Sequence, residues 1–439
     1  MVIAVVGLTL MGFNSIRVGF APIADLVFFG LGGVLWLLML TDRSARLAPP
    51  DFRRSSARLL VAIIVLLSLA TVSSFRSWYP GSSMSVVLRL AYLTVLWFWM
   101  LRCLSVDRRA IAMLMRAWRW GVLISCGAAI AANAGIVVLG STNAENRQSA
   151  WFFHPNDLAG FIAVAIPLFL LDAPRSAAAG KRTAGLRWLA TLGIAVFALS
   201  TTGSMSALLS AAVGVSAAGI TLAITRQRAA VIHPLKVMAV GVIAVIGLTV
   251  LFSSDVPVVE RLTRYEEGDS QVAGSVGERG ALNERVVHQL DDLLVLGHGL
   301  NPEAQADLRG MGSGIHNLYV KLLYEAGLIA ALALIAMLVI MLQQGWRLLI
   351  NMRSTDVHLD VVAVFGCAVT AMTFALFQPI STQRYFWVPF VVIQCFWTLR
   401  RTELHRQASQ SQATVPDRAP TGGATRPPAR RPGVPSAPA

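Results

Sequence analysis

Runs of roughly 20 apolar residues recur along this chain at short intervals, and nothing else in it limits folding as strongly. A segment of that kind in lipid must satisfy every backbone N–H and C=O internally, so it forms an α-helix. Twelve such runs fall at 2–16, 24–40, 58–75, 84–101, 119–139, 157–172, 187–202, 204–224, 237–253, 317–343, 359–378 and 385–399. Composition agrees: of 439 residues, 55% are hydrophobic and 14% charged, where a soluble domain carries about 25% charged residues. The expected fold is an all-α polytopic membrane protein with about twelve transmembrane helices and one large extracytoplasmic loop. Residues 1–253 hold transmembrane helices 1–9, 254–316 the loop, and 317–399 helices 10–12. Residues 400–439, rich in Pro and Arg, read as a disordered cytoplasmic tail.

Charge gives an independent test of the count. With the N-terminus inside, inside loops are Lys/Arg-rich. Basic clusters follow the even-numbered runs: Arg43 to Arg58, Arg102 to Arg119, Arg175 to Arg187, Arg226 to Lys236, Arg347 and Arg353, and the tail from Arg400. They hold 26 of the 37 lysines and arginines. Both termini are therefore expected in the cytoplasm. The net charge of +14 sits mostly in short loops beside lipid, which argues against nucleic acid as a partner. The arginines left on the outer side, against the rule, are the informative ones, because cations near membrane depth suit an anionic ligand.

Four cysteines lie in or beside apolar runs, so no disulfide framework is expected. The first run lacks a basic n-region and a small-residue cleavage site, and reads as a retained helix. The pair 187–202 and 204–224 is either two helices joined at Thr201–Ser204 or one long span with a re-entrant piece. Within the loop, Leu282, Val286, Leu290 and Leu293 recur at helical spacing, so 279–295 reads as an amphipathic helix ended by Gly297-His298-Gly299.

The stretch Ser313-Gly-Ile-His-Asn-Leu-Tyr-Val-Lys-Leu-Leu-Tyr-Glu-Ala-Gly327 leaves that loop and enters apolar helix. Ser313 is the expected N-cap, which places His316 in the first helical turn at the membrane edge. Asn317 is read as positioning that turn. Lys321 and Glu325, four apart, are expected to pair inside the membrane. Asp25 is expected to pair with Arg17, Asn156 to cap its helix, and His154 and His298 to be surface groups. There is no G-x-x-x-x-G-K-[ST] nucleotide motif and no metal-ligand spacing on the outer face, so no metal site and no cofactor is expected. A histidine base beside guanidinium groups suits displacement of a phosphate-type leaving group by a hydroxyl. Arg279 leads the candidates for the anionic group, followed by Arg147, Arg285 and Arg384.

Three motifs, in order, resemble the O-antigen ligase and polymerase family of bacterial membrane glycosyltransferases. Arg147 with Trp151-Phe-Phe-His-Pro-Asn-Asp-Leu-Ala159 is similar to the family's entry motif. Arg279, followed by Gly297-x-Gly299, is similar to its outer-loop arginine and G-x-G. The His316-Asn317-x-Tyr319 stretch is similar to its H-N-x-Y-L-x-x-L-x-E-x-G. The resemblance covers roughly 140–330. In one departure, Met205 stands in Gly203-Ser204-Met205-Ser206 where the family usually has a phosphate-holding arginine. The family's loop-helix tryptophan is also absent, with Glu284-Arg285 near its place.

The resemblance implies a GT-C-like helical bundle in the bacterial plasma (inner) membrane. It implies metal-independent, inverting transfer of glycan from a polyprenyl-pyrophosphate donor to a glycan or lipid acceptor. His316 corresponds to the family's essential base and Arg279 to an arginine on the pyrophosphate. Polymerase action is favoured over ligation to lipid A or protein. The reading from another class is a twelve-helix transporter or lipid-glycan flippase. Its best support is Thr41-Asp-Arg-Ser-Ala-Arg46, which a basic inside loop explains equally well.

Overall fold

The computed structural model describes residues 1–12, 17–18, 21–41, 57–105, 107–136, 147–152, 154–170, 182–225, 263–264, 270–300, 314–351 and 355–413. The expected span at 237–253 and the loop up to 262 lie outside the described residues, as does Ser313. Among the described residues the architecture is helical apart from a minimal antiparallel ladder of β1 (Arg17–Val18) and β2 (Ala21–Pro22). Two compact units divide at residue 400.

The first unit contains α1 (Val2–Thr9), α2 (Ile23–Thr41), α3 (Ala57–Phe75), α4 (Pro80–Leu104) and α5 (Arg108–Asn133). It continues with α6 (Pro155–Leu170), α7 (Arg182–Thr201), α8 (Met205–Thr225) and the loop helix α9 (Ser270–His288). α10 (Leu318–Ala326), α11 (Leu328–Asn351) and α12 (Thr355–Ala375) follow. Among the described residues, five helices have the length and composition to cross a membrane: α3, α4, α8, α11 and the His358–Ala375 part of α12. Shorter apolar helices run over Ile23–Leu35, Pro155–Phe169 and Leu186–Thr201. The last helix, α13 (Arg384–Ala413), runs on into the second unit, so residues 400–413 are helical where a disordered tail was expected. The reason is local. The tail's first proline is Pro416, and Glu403, Leu404 and Gln407 are good helix formers.

α7 and α8 are two separate helices. They meet at a turn through Thr202 and Gly203, and Gly203 takes φ +63°. Glycine adopts that region without the Cβ clash that other residues meet.

Helix packing relies on small residues, as expected where lipid is no less apolar than the partner helix. α8 and α12 make an intimate pair through Gly214, Ala218, Gly366 and Thr370. A Cβ on Gly214 would fall on the Thr370 hydroxyl and only 2.6 Å from the Gly366 carbonyl oxygen. A Cβ on Gly160 of α6 would meet the Phe374 ring, and 2.8 Å away the Tyr385 hydroxyl. The four cysteines are buried and unbridged. At the start of α2, Asp25 is held by Arg384 of α13 through Nε at 2.6 Å and a second ion-pair contact from Nη2. Asp25 thus has a buried partner 359 residues away in the sequence, while its expected pairing with Arg17 falls on a side chain outside the described residues.

Gly214→Ala is expected to destabilise the bundle by about 1–3 kcal/mol through overpacking. Gly127→Ala, at a site with nothing within 4 Å, should be neutral. Thermal unfolding in detergent reads both, and equal midpoints would contradict the packing account. Arg384→Met should cost about 3–5 kcal/mol by leaving Asp25 buried without its partner. Adding Asp25→Asn should restore most of that, and strictly additive losses in the double-mutant cycle would exclude the pair.

Candidate functional site

α9 is amphipathic, and its apolar stripe docks. Leu282, Val286 and Leu293 are at most 1% exposed and form a small cluster with Ile315 and Tyr324, edged by Val320 and Leu323. The expected helix at 279–295 is longer at its start, because α9 begins at Ser270. It is interrupted near its end, where a short 3₁₀ turn covers Leu290–Leu293. Ile315 therefore lies beneath the loop helix, while Leu318 packs into the main core of the bundle. His316 sits between these two fixed residues, half-buried, with its Nδ1 atom buried.

The helix after His316 starts later than the Ser313 cap predicts. Asn317 is the N-cap: its Oδ1 accepts from Tyr319 N at 2.9 Å and Val320 N at 3.3 Å. His316 thus precedes the helix instead of lying in its first turn. One side-chain oxygen satisfies two backbone donors that would otherwise lack partners. One turn on, the Tyr319 hydroxyl donates to Met372 O of α12 at 3.2 Å, tying this end of α10 to the bundle.

The expected continuous span 317–343 is two helices. α10 ends after nine residues, and Gly327 turns the chain with φ +94° and ψ 167° before α11 begins. Each of α10's last four carbonyls finds a donor. Gly327 N donates to Leu323 O at 2.9 Å, His298 N to Tyr324 O at 3.0 Å, and Gly299 N to Glu325 O at 2.8 Å. The Ser73 hydroxyl of α3 donates to Ala326 O at 3.3 Å, and accepts from Gly297 N at 3.1 Å. Glycine is needed at both ends of this G-x-G. A Cβ on Gly297 would overlap the Glu325–Ala326 backbone, and one on Gly299, at φ +101°, would strike Ser77. His298, expected as a lone surface group, has its ring 4.6 Å from that of Tyr324. Lys321 and Glu325 pair at 3.6 Å, as their spacing predicts, with Glu325 buried.

The candidate arginines divide into three environments. Position 279 lies within α9, one turn before Leu282. Arg285 is on the exposed side. Arg147 is buried: its Nε donates to Thr202 O at 2.8 Å and its Nη2 to Asn156 Oδ1 at 2.7 Å. Its guanidinium therefore lies on the α7–α8 turn, close to Gly203 and two residues from Met205. Asn156 anchors this arginine, and the expected capping contact comes from His154, whose Nδ1 accepts from Asn156 N at 3.1 Å. Arg384 is held by Asp25, as described above. Among the described residues, no three His, Cys, Asp or Glu side chains gather as a metal-ligand set.

Apolar helices of membrane length mark a multi-pass membrane protein, and the loop helix docked beside a histidine-bearing helix start marks its candidate site. Residues 190–335, a part of the chain shorter than half, match the family model described as O-antigen ligase. The match takes in α8, α9, the G-x-G, His316 and α10. No curated protein matches the chain.

The break at Gly327 and the role of Ser73 escaped sequence reasoning. The φ of Gly327 had a signal, a glycine directly after Glu325-Ala326, but Ser73 had none. Gly327→Ala is expected to abolish or nearly abolish the folded protein, because Ala strains φ +94° and its Cβ would lie 2.6 Å from Val295 O. Folded yield by size exclusion after membrane extraction checks this, and a normal yield with a normal unfolding midpoint would refute the need for glycine.

Proposed function

We propose that the protein is a polysaccharide polymerase. It transfers glycan from a polyprenyl-pyrophosphate donor to the hydroxyl of a second glycan at the outer face of the bacterial plasma membrane. His316 takes the proton of the acceptor hydroxyl as its oxygen attacks the anomeric carbon. The new C–O bond forms opposite the breaking bond to pyrophosphate, so the configuration inverts, and polyprenyl pyrophosphate departs with the bonding pair. Arg279 neutralises charge growing on the phosphate oxygens. Arg147 supplies the second cation. Support comes from its bond to Thr202 and its closeness to Gly203 on the α7–α8 turn, which leads into Met205, where the family that the chain resembles usually has an arginine. Arg285 and Arg384 are assigned lesser parts, Arg285 at the exposed rim and Arg384 in holding α13 against α2. Asn317, Lys321 and Glu325 position α10. The chemistry asks for no metal or cofactor, since fixed cations meet the leaving group.

The observation that carries this reading is the docking of α9 onto α10 and Ile315. It brings α9, the helix that carries position 279, onto Ile315, the residue before His316. In this reading, that contact is what brings together a base and a cation carried by separate segments. Attack by an uncharged sugar hydroxyl needs both, whereas a transporter needs neither.

His316→Ala, expressed at normal level, should lose glycan transfer by at least about a hundredfold, in line with general-base catalysis. Undecaprenyl-linked oligosaccharide should accumulate unextended. Extraction and electrophoresis of lipid-linked glycan measure this, and wild-type product from the variant would overturn the assignment.

A further inference from the structure

Ser73 lies outside every motif above, yet it joins three segments of chain. We propose that it is a positioning residue for transfer at His316, an inference that rests on the function proposed above. Ser73 is in the last turn of α3 and fully buried. Its hydroxyl accepts from Gly297 N and donates to Ala326 O, partners 224 and 253 residues away. The next residue shows the ordinary alternative: the Ser74 hydroxyl, equally buried, donates to Ala70 O of its own helix at 2.8 Å.

The consequence follows from the length of α10. A nine-residue helix does not hold its own place. Its start is fixed by Asn317 and the Tyr319–Met372 bond, and its end by the G-x-G and Ser73. His316 stands immediately before the N-cap, so axial slippage of α10 carries the imidazole with it. A base must come within about 2.6–3.2 Å of the proton it takes. Ala at position 73 would leave a buried N–H and a buried C=O without their partner, and the α10 end free to seek others. Ser73 touches no reacting atom in this scheme and acts through α10.

The test uses the full-length enzyme in lipid nanodiscs with a polyprenyl-pyrophosphate-linked oligosaccharide as donor and acceptor. Ser73→Ala should lower kcat by about tenfold to a hundredfold, the cost of misplacing a catalytic group by up to about 1 Å. KM should stay near wild type, and kcat is read well below the unfolding midpoint, which should fall because two buried backbone groups lose their partner. Ser73→Thr, which keeps the hydroxyl, should recover most of the loss, and Ser74→Ala should leave kcat unchanged. Wild-type kcat in Ser73→Ala, with His316→Ala inactive, sinks the positioning role and leaves the proposed function standing. A Ser73→Ala loss that Thr does not repair, or that Ser74→Ala shares along with a lowered midpoint, assigns Ser73 to packing and overturns the inference. An active His316→Ala removes the base assignment beneath it.

Discussion

The four carbonyls that end α10 are the constraint on which the site depends. A helix that stops inside a membrane protein exposes backbone acceptors where water is scarce, at a cost of several kcal/mol each. Here Gly327, the G-x-G and Ser73 supply the donors. The same bonds pull residues 297–299 against α10, and the apolar stripe of α9 lands on Ile315 and Tyr324 as its tether shortens. The bonds that satisfy the backbone thus also hold the segments that flank His316.

A buried polar layer continues from there. Arg147 bridges Asn156 and the α7–α8 turn, and Arg384 bridges α13 and α2 through Asp25. Each of these two arginines has a specific partner in another segment, which is how such charges are tolerated. The arginines that looked like free grips in the sequence do structural work as well. Arg384 is the clearest instance, because a carboxylate already receives two of its donors. Arg147 keeps its seat through one carbonyl and one amide, both neutral, so its charge is not cancelled by those bonds.

Much of the fold was legible because the membrane makes it so. Apolar length sets helices, and the spacing of Leu282 and Val286 sets which face of α9 docks. The Lys321–Glu325 pair follows from spacing alone. Errors fell where local sequence leaves two answers of similar energy. Ser313 and Asn317 are both good caps, and only the docking of Ile315 decides that the helix starts at Leu318. A run of apolar residues hides a helix break, since Leu, Ile and Ala read alike on either side of Gly327.

By itself the sequence determined the helical class, the amphipathic loop helix and the histidine with its asparagine, since these rest on periodicity and on side-chain chemistry carried locally. The partners of Asp25, the break at Gly327 and the reach of Ser73 to Gly297 and Ala326 were decided only in the tertiary structure. Those bonds join residues hundreds of positions apart, and their energy comes from backbone groups that every residue possesses, so no side-chain pattern announces them.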